Sequence, residues 1–213
     1  MNYKSNIYIL IFCGIIFTYI LYKSFHYDNI FAIFFYVIFG GIGIYTFFNG
    51  IFSDIESYTK QKTLKSFNLT FFGVFFIVVN ILIFAYYEIK RNSQSILEAE
   101  NHGVYFYFNK TGEYIIRSGG YGDGKTFYGK YSIIDSIITL DKKYYDDVLV
   151  TNRYVIRNII NAKGYDDSDK TKKYLIEIDK KGAEIKNSVN YEFNPERKIY
   201  SSYKFEITED NRK

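Results

Sequence analysis

Three long apolar stretches, Asn6–Tyr22, Asn29–Phe52 and Asn68–Tyr87, dominate the first ninety residues and leave few ways to fold them. A helix rises about 1.5 Å per residue, so about 20 apolar residues cross a hydrocarbon core about 30 Å thick. In lipid the backbone must satisfy its own polar groups, which selects helices at this length. The first stretch is near the short limit and the second is long enough to cross with tilt. The pattern predicts an α+β membrane protein whose residues 1–90 form a three-helix transmembrane bundle, with helices over 6–22, 29–52 and 68–87.

Charge follows the same division. The first 87 residues carry only Lys4, Lys23, Asp28, Asp54, Glu56, Lys60, Lys62 and Lys65, all outside the apolar stretches. The remainder holds 22 of the 27 Lys and Arg residues and 20 of the 23 Asp and Glu residues, an ordinary soluble composition. Net charge is +4 over the whole chain, without the clustered basic face of a nucleic-acid binder. Heavy Ile, Asn, Lys, Tyr and Phe usage suggests an AT-rich bacterial genome.

The first stretch lacks a small-x-small cleavage site, so it reads as a retained anchor rather than a signal. The single cysteine, Cys13, is preceded by bulky Leu10-Ile11-Phe12, which does not suit lipidation, and it has no disulfide mate. Gly40, Gly41 and Gly43 read as a packing notch or a kink. Asn80 is the one strongly polar group deep in the third stretch and is expected to make one interhelical hydrogen bond. Without ionisable groups inside the stretches, ion or proton transport is disfavoured. Tyr22, Tyr86 and Tyr87 suit the headgroup layer as anchors. The balance of flanking lysines places the amino terminus in the cytoplasm of a bacterial inner membrane and the soluble half on the periplasmic side, by the narrow margin of four cations to three.

Residues 91–102 read as a linker or a continuation of the third helix, and 103–213 as a β-rich domain. Val104–Phe108 and Glu113–Ser118 alternate around the turn residues Asn109-Lys110-Thr111-Gly112. Thr126–Ile134 and Ile137–Leu140 flank the turn Asp135-Ser136. Further strands are expected over Val148–Arg157, Lys173–Asp179, Ala183–Val189 and Ile199–Ile207, with a turn at Lys180-Lys181-Gly182 and a polar loop over Asn161–Thr171. Seven or eight short strands with regular turns predict an antiparallel meander closed as a small barrel or sandwich.

Gly119-Gly120-Tyr121-Gly122-Asp123-Gly124-Lys125-Thr126 satisfies the phosphate-loop spacing, in which backbone amides and Lys cradle phosphates and Thr binds Mg²⁺. Ile137–Asp141 even mimics the partner strand ending in a metal-holding Asp. Context argues against it. A phosphate loop opens a helix, whereas Phe127–Ile134 is aromatic, β-branched and interrupted by Gly129. Gly119, Gly124, Lys125 and Thr126 are therefore assigned to a hairpin loop, with no cofactor. The only histidines, His26 and His102, lie in separate halves, so no metal site or catalytic triad is expected. Asp146-Asp147 and Asp166–Asp169 read as solvated loop charge.

The segments Phe108–Tyr114, Gly129-Lys130-Tyr131-Ser132-Ile133 and Ile137–Asp141 together resemble a β-module of small uncharacterised membrane and envelope proteins of Bacteroidota. In that module a turn-plus-strand element precedes a Gly-x-Tyr strand and a short strand ending in Asp. The resemblance spans about 50 residues, implies a β fold and a bacterial source, and carries over no catalytic residue. The expected function is that of a non-enzymatic integral membrane protein, embedded in a lipid bilayer, whose β-domain binds a protein or envelope component. Alternatives are an immunity protein against a membrane-acting or periplasmic toxin and, less favoured by the motif context, a phosphate-loop enzyme.

Overall fold

The computed structural model describes residues 3–101, 103–119, 124–142, 149–160, 171–185, 187–189, 199–201 and 204–212. His102, Asp146-Asp147 and Asp166–Asp169 lie outside them. The chain divides after Asn92 into a helical unit and a unit of strands.

The first helix, α1, spans Tyr3–Ser24. The second crossing begins as α2 (Ala32–Phe35), passes through one π-helical turn (Tyr36–Gly40) and continues as α3 (Gly41–Gln61). It starts three residues later than the apolar stretch because Asn29 turns the chain, its side-chain oxygen accepting the Phe31 amide at 2.9 Å. It also runs nine residues past Phe52. Glu56 and Lys60 pair one turn apart at 2.6 Å, and Lys62, left-handed at φ 51°, ends it. A 3-10 turn (Leu64–Phe67) leads into α4, Asn68–Arg91. All three crossings are long and apolar enough to span a membrane, with only 6–11% of their most apolar windows buried. Side chains such as Phe12, Val37, Phe52 and Phe71 point outward, which suits hydrocarbon and not water.

Small residues set the helix spacing, but not mainly the expected ones. A Cβ on Gly14 would lie 2.5 Å from the Phe76 ring, one on Gly50 would lie 2.7 Å from Leu69, and one on Gly73 would run into the Phe47 ring. Of the glycines at 40, 41 and 43, only Gly40 is tight, at 3.2 Å from Phe17, and it closes the π-helical turn. Gly41 has nothing within 4 Å. Tyr87 is not a lipid anchor either. It is buried, stacks on Phe25 at 4.5 Å and meets Tyr22 edge-on, gluing α4 to α1.

The second unit is a closed antiparallel barrel. Its strands are β1 (Ser95–Asn101), β2 (Val104–Asn109), β3 (Glu113–Ser118), β4 (Lys125–Ile134), β5 (Ile137–Leu140), β6 (Arg153–Ile160), β7 (Thr171–Glu177) and β10 (Lys204–Asp210), in the ring order β1-β10-β7-β6-β5-β4-β3-β2. A separate ribbon pairs β8 (Asn187–Val189) with β9 (Ile199–Ser201). The stretch expected to be a linker or helix is strand β1, and it closes the ring by pairing with both β2 and β10. Turns fall at Gly112 (φ 80°), Asp135 (φ 55°) and Gly182 (φ 84°). Glycine tolerates a positive φ freely and a short polar residue tolerates it locally. Inward side chains fill the barrel. Phe106 packs on Phe108, Tyr154 and Phe205 with ring centroids 4.7–5.9 Å apart, amid Leu97, Tyr114, Ile116, Ile138 and Leu175.

Candidate functional site

The phosphate-loop residues lie on a β-hairpin. Gly119, at φ 108°, follows β3, and Lys125 and Thr126 open β4 by pairing with Ser118 and Arg117. The amides after Lys125 are therefore ladder partners, not the free donors of a helix start. Gly124 is buried, as is Thr126, and Gly120–Asp123 lie outside the described residues. Asp141, the would-be metal ligand, accepts the Tyr114 hydroxyl at 3.0 Å. Gly129 faces that pair, and any Cβ there would run into it.

The outer wall of the barrel carries a different arrangement. Cross-strand register aligns Arg157 on β6, Tyr174 on β7, Glu206 on β10, Glu100 on β1, Tyr105 on β2 and Arg117 on β3 in one continuous row. The row reads cation, tyrosine, carboxylate, carboxylate, tyrosine, cation. Its centre is a hollow of about 300 Å³ lined by Glu100, Tyr105, Tyr174, Glu206 and Lys204, with Asn101 and Gly103 at its rim. Like charges directly opposite in a ladder repel. Lys172 relieves one of them, bridging Glu206 at 2.8 Å, and that hydrogen bond raises the lysine's pKa. Glu100 is exposed and makes no ion pair among the described residues. One step along the same two strands, Glu98 faces Glu209. The Tyr107 phenol is pushed up, first by burial and then by Glu98.

At one end of the barrel Asp210 receives Arg212 through two bonds, at 2.7 and 2.8 Å, and Lys173 at 2.9 Å. The Arg212 hydrogen bond leads in holding the Asp210 carboxyl well below the usual carboxylate range. Nearby Tyr131 donates to the Asn109 carbonyl at 2.7 Å, and burial raises its pKa. Glu177 is fully buried and accepts the Val150 and Thr151 amides, tying the chain before β6 to the end of β7. These contacts use their charges internally and hold the wall in place.

No family model, curated protein or solved structure matches this chain. On the barrel, the outer hollow bordered by Glu100, Tyr105, Tyr174 and Glu206 is the candidate site. In the helical unit an apolar cavity of about 310 Å³ lies among α1, α3 and α4, with Cys13, Phe47, Phe76 and Asn80 in its wall. Asn80 does not bridge helices as expected. Its amide donates to the Phe76 carbonyl of its own helix at 2.7 Å, and its oxygen is buried without a partner among the described residues. The i−4 carbonyl is within reach of any mid-helix Asn, which is why the local bond wins.

The residues of the outer hollow escaped sequence reading. Glu100 sits in the stretch taken for a linker, and Tyr105, Tyr174 and Glu206 fit ordinary strand alternation. Their alignment is a property of register across four strands, which no local motif encodes.

Proposed function

We propose that this chain is a non-enzymatic, multi-pass protein of a bacterial inner membrane, whose barrel stands on the periplasmic side and binds a protein partner through its outer wall. The observation that carries this reading is the Glu100–Glu206 hollow between Tyr105 and Tyr174. A barrel packed with aromatic side chains takes its ligand outside, and exposed tyrosine is among the residues enriched at interface hot spots. The helices serve as the tether, since each of the three crossings holds a stretch long and apolar enough to span a membrane.

A photo-crosslinking residue at position 105, with position 134 as control, tests the reading. Ile134 is 71% exposed and lies on β4, away from the hollow. In membranes of the source cell, position 105 is expected to yield one discrete protein adduct and position 134 none. Absence of an adduct at 105 overturns the proposal. Labelling of Lys110→Cys in a Cys13→Ala background by a membrane-impermeant thiol reagent, in intact cells with a permeable outer membrane, tests the side. Protection there overturns the periplasmic assignment.

A further inference from the structure

We propose that a groove between α1 and the start of the second crossing holds one acyl chain of an anionic glycerophospholipid, with Lys23 seated on the lipid's phosphate. This rests on the membrane reading proposed above and not on the role of the barrel wall. The groove has a volume of about 530 Å³, within the range of small-molecule sites. Phe12 meets Phe39 at 6.3 Å and Phe17 meets Tyr36 at 5.3 Å, so the two helices run antiparallel along it. Its wall is graded as a result. Ile16 and Phe39 line the deep end, Ile20 and Phe35 the middle, and Lys23, Tyr27 and Asn29 the mouth, where the chain turns from one helix to the next. The helix between Ile16 and Lys23 rises about 10 Å, roughly two-thirds of the hydrocarbon depth of one leaflet.

The state of Lys23 selects the headgroup. Its ammonium lies 5.8 Å from the ring centre of Tyr19 and 5.0 Å from that of Tyr27, which hold it at the mouth. A ring face attracts the charge but offers the ammonium hydrogens no oxygen, and Lys23 makes no ion pair among the described residues. Asp28, five residues on, lines the adjoining hollow with Ile30 and Ile33 and not this groove. Asn29 spends its side-chain oxygen on the Phe31 amide, which leaves its amide hydrogens for an acceptor. Positive charge and donors at the mouth call for an oxyanion, and the apolar length below calls for hydrocarbon. A phospholipid carries both in that order. Lys23 already takes up Tyr19 and Tyr27, so neither ring is open to a choline or ethanolamine ammonium, and a headgroup of net negative charge fits best.

The test uses the full chain in dodecyl maltoside micelles, whose head groups are uncharged, titrated with dioleoyl phosphatidylglycerol or dioleoyl phosphatidylcholine and followed by native mass spectrometry. The first phosphatidylglycerol is expected to bind about fivefold tighter than the first phosphatidylcholine, the share of one cation at a lipid surface. Lys23→Gln is expected to erase that preference. Ala32→Trp fills the groove and is expected to weaken phosphatidylglycerol about tenfold. Lys90 lies over the Tyr86 ring at 4.7 Å, a like pair outside the groove, and Lys90→Gln is expected to leave binding within about twofold. Far-UV circular dichroism confirms that each variant keeps its helices. Equal loss in Lys90→Gln means a general surface charge and overturns the inference, as does an unchanged preference in Lys23→Gln. Unchanged binding in Ala32→Trp means that no chain enters the groove and also overturns it. Displacement of the lipid by millimolar inorganic phosphate assigns Lys23 to a free anion, with the same consequence. Release of the chain from membranes by alkaline carbonate sinks the membrane reading, whereas a carbonate-resistant chain without the lipid preference sinks this inference alone.

Discussion

Asp54 caps a helix that begins fourteen residues further along the chain. Its carboxylate oxygen accepts the Thr70 amide at 2.8 Å and the Thr70 hydroxyl at 2.9 Å, and the residue is fully buried. Thr70 lies in the first turn of α4, where amides lack intrahelical acceptors and the helix dipole favours an anion. The acid that sequence reading left outside the apolar stretches thus lies within α3 and ties it to its successor. Asp54→Ala is expected to lower the stability of the full-length protein in detergent by about 1–3 kcal/mol, the cost of orphaning charge-assisted bonds. Thr70→Val removes the hydroxyl alone and should cost less. Thermal melts that superimpose on wild type for Asp54→Ala would show that the cap does not matter.

Glycines 73 and 41 make opposite predictions although both lie on apolar helices. Gly73→Ala drives a methyl into the Phe47 ring and is expected to destabilise the bundle by about 1–3 kcal/mol. Gly41→Ala meets nothing within 4 Å and gains helix propensity, so it should be neutral or stabilising by up to about 1 kcal/mol. Melting temperatures in one detergent decide it, and a reversed order refutes the packing account.

Asp210 gives the barrel an acid limb. Its carboxyl is held below its ordinary value by Arg212 and Lys173, so the folded chain binds fewer protons than the unfolded one in acid. The stabilisation is complete above about pH 4, the ordinary carboxyl value, and fades as pH falls below it. Asp210→Asn should therefore melt lower than wild type at pH 7, with the gap narrowing towards pH 2. A constant gap across that range would mean the group acts by shape and not by charge.

Lys125 and Thr126 are engaged in a strand ladder, so Mg-ATP titrated to millimolar levels should show no saturable binding, and Lys125→Ala should change nothing. Saturable binding that this substitution abolishes would restore the phosphate-loop reading.

Hydropathy made the three crossings legible, and period-two alternation with Gly112, Asp135-Ser136 and Gly182 made the meander legible, because both patterns are local. Helix ends were less so. Asn29 and Lys62 act through turn geometry that apolar content does not report. Ser95–Asn101 was hidden because its outward glutamates make it look like solvated coil, while Leu97 and Ala99 alone carry the inward face. Asn80 was misjudged because local and interhelical acceptors look alike in sequence. The hollow on the wall was least accessible of all, since Tyr174 and Glu206 are thirty-two residues apart and meet only through the β7–β10 register.

Closure of the ring has a bearing on how recognition can work at all. A sheet with open borders can recruit a guest chain as one more strand and read it through backbone hydrogen bonds, largely indifferent to side-chain identity. Here β1 spends both of its borders, one on β2 and one on β10, and among the described residues only the short β8–β9 ribbon stands apart from the ring. Side chains projecting from its staves, rather than a long free border, are then what the cylinder offers a neighbouring molecule, and an extended chain finds only short unpaired stretches of β4 and β6 to add to.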